Sequence, residues 1–171
     1  MDKYKNKYRI PTNRMQGYDY GSNGCYYVTI CTKNKEHYFG EIVVETDNYP
    51  SLRATEIGKI AEKFWLDIPN HFPFVILDQF VIMPNHIHGI LIFNKDSTSW
   101  QPNKFGSQSQ NLGSVIRGFK SSLKRYANEN NIDFAWQERF HDNIIRDNNS
   151  LDNIRKYIIN NPQNWQDDDY V

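Results

Sequence analysis

The sequence lacks an excess of charge of either sign, since 20 lysine and arginine residues balance 20 aspartate and glutamate residues in a chain of 171. This balance excludes a protein that binds nucleic acid through a high overall positive charge, although a locally basic surface is compatible with it. No apolar run approaches the ~18 residues that cross a membrane. The first ten residues also have no apolar stretch of the kind found in secretion signals. We therefore expect no membrane association.

Cysteine is also scarce, with only Cys25 and Cys31 present in one predicted strand. At the usual rise of a strand their Cα atoms would lie roughly 20 Å apart, which is too far for a disulfide. We therefore expect two reduced thiols, as in a cytoplasmic protein.

The balanced charge is unevenly distributed along the chain. Residues 1–23 form a polar arm whose first fourteen positions carry five basic residues and one acidic residue. Residues 112–126 carry four basic residues and no acid. Residues 166–171 include three consecutive aspartates and form a short acidic tail. We expect a single catalytic domain over residues 24–165, between the arm and the tail.

Hydrophobic periodicity predicts alternating strands and helices. Period-2 or continuous apolar runs predict strands, and apolar residues spaced three and four apart predict helices. The predicted elements are a strand at 25–31, a short edge piece at 38–44, a helix at 52–68, strands at 73–82 and 86–93, a helix at 112–128, a strand at 140–146 and a helix at 151–160 capped by Ser150 or Asp152. This order is typical of an α+β, ferredoxin-like split βαβ fold with an antiparallel sheet and one appended C-terminal helix.

Two histidines stand close together in the second strand of the predicted hairpin. Because alternate side chains of a strand point to one face, His86 and His88 project side by side, whereas Ile87 points to the core. Two imidazoles at this spacing can chelate one divalent ion. The surrounding strands are apolar, so two histidines there cost desolvation free energy unless something binds them. The alternative is a pair of purely structural histidines.

The appended helix carries a second candidate pair. Tyr157 and Asn161 are four residues apart and so share one face of the helix. The Asn161 carbonyl oxygen is a suitable ligand for Mg²⁺ or Mn²⁺, and the Tyr157 phenol can attack phosphorus. A core tyrosine near a helix end is the alternative for this segment taken alone.

Together these segments resemble the HUH motif and the nucleophile helix of single-tyrosine transposases, and are most similar to the REP-associated tyrosine transposases. The HUH-like stretch is Met83–Ile90, and the nucleophile-like stretch is Tyr157–Pro162. Further stretches agree in order and spacing, namely residues 18–20, 27–32, 113–121 and 136–147. The resemblance covers roughly residues 10–165.

The resemblance implies a metal-dependent endonuclease and strand transferase that acts on single-stranded DNA. His86 and His88 would bind Mg²⁺ or Mn²⁺, with Asn161 as a third ligand. Tyr157 would attack the scissile phosphate to give a 5′-phosphotyrosine and a free 3′-OH. The expected partners are DNA hairpins, either REP-like repeats or element ends. The protein itself is expected to be a monomer or a homodimer associated with the nucleoid.

Candidate DNA contacts come from the basic segments. Arg117, Lys120 and Lys124 share one face of the predicted second helix, and no acid interrupts them. The full set of predicted contacts is Arg14, Arg117, Lys120, Lys124 and Arg139. Exposed aromatic rings can stack on bases, and the candidates for that role are Tyr18, Tyr20 and Trp100.

Two other functions are compatible with the sequence. One is a DNA-hairpin-binding protein that does not cleave, although His86, His88, Tyr157 and Asn161 are all present. The other is an RNA-binding ferredoxin-like domain, which would carry exposed aromatic residues on its central strands. Histidines occupy that place here.

Overall fold

The structure is a computed structural model that describes residues 3–4, 7–8, 14–44, 48–96 and 109–170. Trp100 and most of the basic stretch 1–13 lie outside these ranges. Within them the strands are β1 (Lys3–Tyr4), β2 (Lys7–Tyr8), β3 (Gly24–Cys31), β4 (Gly40–Val44), β5 (Pro50–Ala54), β6 (Val75–Ile82), β7 (His86–Phe93) and β8 (His141–Ile145). The α-helices are α1 (Glu56–Leu66), α2 (Ile68–His71), α3 (Leu112–Glu129) and α4 (Asn148–Asn160).

Four strands form the main sheet in the order β6-β7-β3-β8. Each neighbouring pair is antiparallel. Strands β3 and β6 therefore run parallel to each other on either side of β7, which is the split βαβ arrangement with α1 as its crossover. The ferredoxin-like α+β fold predicted from the sequence is confirmed.

Alternation along β7 gives the sheet two different faces. Ile87 and Leu91 point to the main core, where they pack with residues of α1 and α3 such as Trp65 and Val115. His86, His88 and Ile90 point to the opposite face, where Ile90 packs with Ile158 of α4. The appended helix and the two histidines consequently share one face of the sheet.

Two helix starts differ from the prediction. Helix α1 begins at Glu56, because the Thr55 hydroxyl accepts a hydrogen bond from Gly58 N at 3.2 Å. The preceding residues pair with β4 as strand β5, so the prediction of a helix from residue 52 was wrong in its first turn. Helix α4 begins at Asn148, since the Asp147 carboxylate accepts from Ser150 N at 2.8 Å. Neither predicted cap residue has that role.

Both cysteines are free, as their spacing predicts. In the described part of the chain, no helix combines the length and apolar character needed to span a membrane.

Replacing Gly89 with alanine tests the packing beneath the histidines. A Cβ atom there would lie 2.2 Å from Cζ2 of Trp65, which is fully buried. We expect Gly89→Ala to lower the free energy of unfolding by about 1–3 kcal/mol, the usual cost of overpacking a core. Gly24→Ala is the matched control, because its Cβ would meet no atom closer than 3.5 Å. Equal urea midpoints for the two variants would contradict this account.

Candidate metal and nucleophile site

His86 and His88 lie at the start of β7 and are both fully buried. Their Nε2 atoms have no hydrogen-bond partner among the described residues. Their rings are T-shaped, with centroids 4.4 Å apart. The structure thus places the two imidazoles side by side on one face, with one nitrogen of each ring unused.

The other ring nitrogen of each histidine is held by a neighbour. His86 Nδ1 lies 2.7 Å from Asn85 Oδ1, and the Asn85 amide nitrogen donates to Tyr170 O at 2.8 Å. The Asn85 oxygen therefore accepts, His86 Nδ1 carries the proton, and its Nε2 keeps a lone pair. His88 Nδ1 lies 2.8 Å from both Tyr27 Oη and Thr29 Oγ1. Such contacts orient the imidazole ring of a metal ligand.

A carboxylate faces the histidines, although the sequence places it in the acidic tail. Asp168 Oδ2 lies 3.6 Å from His86 Nε2, and the Asp168 side chain is only 1% exposed. The potential ligand atoms of His86, His88 and Asp168 all lie within 4.8 Å of one another. Sequence reasoning missed Asp168 because three consecutive aspartates are typical of a solvated segment. Nothing in the pattern indicates that the segment folds back.

Asn161 completes the group. It caps the end of α4, is 2% exposed, and its Oδ1 atom is buried without a hydrogen-bond partner in the described structure. Five buried side-chain nitrogen or oxygen atoms lack a partner within the described residues. Four of them belong to His86, His88, Asn161 and Asp168. Buried polar atoms normally have partners, so four such atoms on neighbouring side chains fit a site that binds a cation.

The chemistry of the four donors fits a divalent cation. Lone pairs of a neutral imidazole and a carboxylate repel when they face each other, unless a proton or a metal ion lies between them. Imidazole, carboxylate and amide oxygen donors suit Mn²⁺ and Mg²⁺. Cys31 pairs with His86 across the sheet. Burial raises the pKa of the Cys31 thiol to about 11, so without a bound cation the thiol is neutral near neutral pH.

Burial keeps both histidines neutral. It lowers the pKa of His86 to about 4, against the opposing effect of the Asp168 charge. Burial and the neighbouring His86 lower the pKa of His88 to about 2. The neutral imidazole is the form that binds metal ions, so the rings stay competent for metal binding well below neutral pH.

Tyr157 lies beside this group on α4. Its ring centroid is 5.3 Å from that of His88, and the residue is 43% exposed. Burial and then the Asp168 charge raise the pKa of the phenol, whereas Asn161 lowers it. The predicted nucleophile and the predicted ligands therefore come together within one chain.

Segment 165–170 covers the site. The Tyr170 ring centroid lies 4.9 Å from that of His86 and 5.5 Å from that of His88. Trp165 stacks on His86 with a centroid distance of 6.0 Å. Lys35 Nζ donates to Asp169 O at 3.5 Å. The predicted acidic tail is thus packed against the histidines.

The residues predicted to contact DNA lie in different local environments. Lys120 Nζ donates to Gln137 O at 2.6 Å, and Lys124 Nζ donates to Phe134 O at 2.6 Å. These two lysines hold the segment that leads into β8. The Arg14 guanidinium lies over the Tyr20 and Phe140 rings, while Arg117 and Arg139 are exposed.

The two aromatic candidates for base stacking that the structure describes are Tyr18 and Tyr20. Tyr20 is only 8% exposed and belongs to the main core. Tyr18 packs against that core and lies edge-on to Tyr20. A core role accounts for both rings, and Tyr20 has too little exposed surface to stack on a base.

Comparison with solved structures identifies the fold. The chain is similar to a REP-associated tyrosine transposase solved bound to a REP hairpin, with a TM-score of 0.58 and 17% sequence identity. The match covers 94% of this chain and 76% of that protein. The chain has the fold of the REP-associated tyrosine transposases, which confirms at the level of the fold the resemblance found in the sequence.

Comparison of sequences defines the immediate family. An uncharacterized protein of Haemophilus influenzae is 38% identical over 167 residues, which cover 91% of this chain and 89% of that protein. The chain belongs to the same family as this Haemophilus protein. No family model matches the chain.

Acid should destabilise the protein through the two buried histidines. Their pKa values in the folded chain lie below the ordinary 6.5. The unfolded chain therefore binds more protons once the pH falls below 6.5, and stability is lost toward pH 4. At pH 5 each histidine should cost about 2 kcal/mol of unfolding free energy.

Urea unfolding in EDTA at pH 7.5 and pH 5 measures this loss. His88→Gln should lose less stability on acidification than the natural sequence, because one of the two groups is gone. The exposed His37→Gln variant should lose as much as the natural sequence. An unchanged acid sensitivity in His88→Gln would show that the buried ring is not responsible.

Proposed function

We propose that this protein is a metal-dependent endonuclease and strand transferase for single-stranded DNA, with Tyr157 as its nucleophile. One observation carries the proposal. Donor atoms of the buried His86, His88 and Asp168 side chains lie within 4.8 Å of one another beside the Tyr157 ring, with the Asn161 side chain next to His86, and none has a hydrogen-bond partner within the described residues. A site that only stabilised the fold would pair these atoms with one another or with the backbone.

Some residues of the chain would hold the metal ion, and others orient the histidine rings. His86 and His88 would hold Mg²⁺ or Mn²⁺, with the Asn161 oxygen as a further ligand. When bound, the ion supplies positive charge that polarises a phosphoryl oxygen. Asn85, Thr29 and Tyr27 keep the two imidazoles in place through their Nδ1 atoms.

Tyr157 performs the covalent step. Its oxygen forms a bond to phosphorus while the bond from phosphorus to the 3′-oxygen breaks, so the DNA ends as a 5′-phosphotyrosine and a 3′-OH. The phenol loses one proton and the leaving oxygen gains one. Because one phosphoester replaces another, the reverse attack by a 3′-OH can rejoin strands without a separate energy source.

The proposed substrate is a DNA hairpin with adjoining single strand. The neighbour with the same fold was solved with a REP hairpin, and the basic residues of this chain suit a phosphate backbone. Arg117 and Arg139 offer exposed guanidinium groups, and Arg14 lies at the edge of the sheet near Phe140. Lys120 and Lys124 would contribute only through their remaining hydrogen-bond donors.

Replacing Tyr157 with phenylalanine tests the chemistry. We expect Tyr157→Phe to abolish covalent adduct formation and to leave hairpin binding nearly unchanged, because only the attacking oxygen is removed. Denaturing gels with end-labelled oligonucleotides in Mg²⁺, Mn²⁺ or EDTA measure the adduct, and gel shifts measure binding. Adduct formation that survives in Tyr157→Phe would exclude Tyr157 as the nucleophile.

The same gels address the alternative function. Specific hairpin binding by the natural sequence, without any adduct in either metal, would favour a hairpin-binding protein that does not cleave.

Removing segment 165–170 should speed the reaction. Asp168 and Tyr170 occupy the space in which a scissile phosphate must meet the histidines, so the segment has to leave before DNA enters. A chain that ends at Asn164 should form the adduct roughly tenfold faster, the factor for ~1.4 kcal/mol of contacts that no longer need displacement.

Point variants sharpen this test. Asp168→Asn should also speed adduct formation, whereas the exposed Asp167→Asn should behave as the natural sequence does. A shortened chain that reacts more slowly would show that segment 165–170 is needed for the reaction instead of obstructing it, and a slower Asp168→Asn variant would assign that need to Asp168.

A further inference from the structure

Helix α4 is attached to the sheet by apolar contacts that do not fix its exact position and rotation. Ile158 is fully buried with Ile90 and Ile145, and Leu151 and Ile154 pack around them. Hydrophobic burial is non-directional. These contacts keep the helix on the sheet, but they tolerate small shifts and rotations that would move the Tyr157 phenol relative to the histidines.

One ion pair between α4 and the sheet is directional. Arg155 Nε donates to Asp78 Oδ1 at 2.9 Å, and Arg155 Nη2 donates to Asp78 Oδ2 at 2.5 Å. The Asp78 side chain is 13% exposed and that of Arg155 is 36% exposed. A two-pronged guanidinium–carboxylate pair adds geometric specificity as well as energy. Arg155 lies two residues before Tyr157, so the pair acts on the turn that carries the nucleophile.

A bulge in β6 presents the carboxylate. Leu77 and Phe80 pair with Leu91 and Gly89 of β7, so Asp78 and Gln79 together lie opposite the single Ile90. The bulge is reinforced locally, because Gln79 N donates to Asp78 Oδ1 at 2.7 Å. Bulges in edge strands re-aim side chains. Here the extra residue lets Asp78 face α4 while Leu77 and Phe80 both stay packed against the main core.

We infer that the Asp78–Arg155 pair is a positioning device that sets Tyr157 against the histidines of its own chain. The bulge fixes the carboxylate, the carboxylate fixes Arg155, and Arg155 fixes the helical turn from which the phenol reaches the His88 ring. This inference rests on the proposed function of Tyr157 as the nucleophile.

The test measures the maximal rate of adduct formation separately from DNA binding. Asp78→Asn keeps the shape of the side chain and removes its charge, whereas Arg155→Lys keeps the charge and removes the two-pronged geometry. Both should lower the maximal single-turnover rate at saturating hairpin roughly 10- to 100-fold, because a displacement of ~1 Å at a reacting group costs on the order of 10²-fold. The half-saturating DNA concentration should not change.

Asp152→Asn is the matched control. Asp152 Oδ1 also accepts from Arg155, at 3.2 Å, but its side chain is 62% exposed and it belongs to α4 itself. That variant should keep the natural rate, because it leaves the link to the sheet intact. Thermal melting of each variant, with rates measured well below its melting temperature, separates positioning from loss of fold.

The possible outcomes are distinct. Maximal rates for Asp78→Asn and Arg155→Lys that equal the Asp152→Asn rate would overturn the positioning role, even if melting temperatures fall. A natural sequence that forms no adduct at all would instead overturn the proposed function. If Asp78→Asn does not fold, Arg155→Lys alone decides, since it preserves the charge of the pair.

Discussion

The Nε2 atoms of His86 and His88 are buried in an apolar sheet, with no donor from the described structure facing them, and the rest of the site is arranged around this constraint. Desolvation keeps both rings neutral. The His86 ring carries its proton on Nδ1, against Asn85, so its Nε2 lone pair points into the protein. Such a lone pair is costly to bury, and a cation beside it would offset that cost.

Two side chains near the histidines differ in charge and in origin. Asn161 brings a neutral amide oxygen from the end of α4, and Asp168 brings a negative charge from the segment that follows. The Asp168 charge raises the pKa of Tyr157, so its presence disfavours the phenolate. The carboxylate that faces the histidines therefore works against the proposed nucleophile. Its departure would open the candidate cation site and ease deprotonation of the phenol together.

The position of Tyr157, the proposed nucleophile, depends on a different part of the molecule. Helix α4 reaches the histidine face because Ile158 completes a small apolar cluster with Ile90 and Ile145. The directional contact is the ion pair of Asp78 with Arg155, and the bulge that presents Asp78 lies in β6, the strand next to β7. Apolar burial thus attaches the helix to the sheet, and the polar pair is the proposed means of orienting it. The proposed ligands and the proposed nucleophile all lie within one chain.

Short-range patterns in the sequence predict much of the fold and part of the candidate site. Alternation along 86–93 predicts which side of β7 carries His86 and His88, and helical spacing predicts that Tyr157 and Asn161 share a face, because both are properties of three to five consecutive residues. Local pattern placed the start of α1 too early, since Leu52 fits a helical stripe as well as strand β5. Only the tertiary structure decided that the acidic segment turns back so that Asp168 meets His86, and that a bulge aims Asp78 at Arg155. These contacts join residues 82 and 77 positions apart, and their geometry depends on chain packing that no short stretch of sequence encodes.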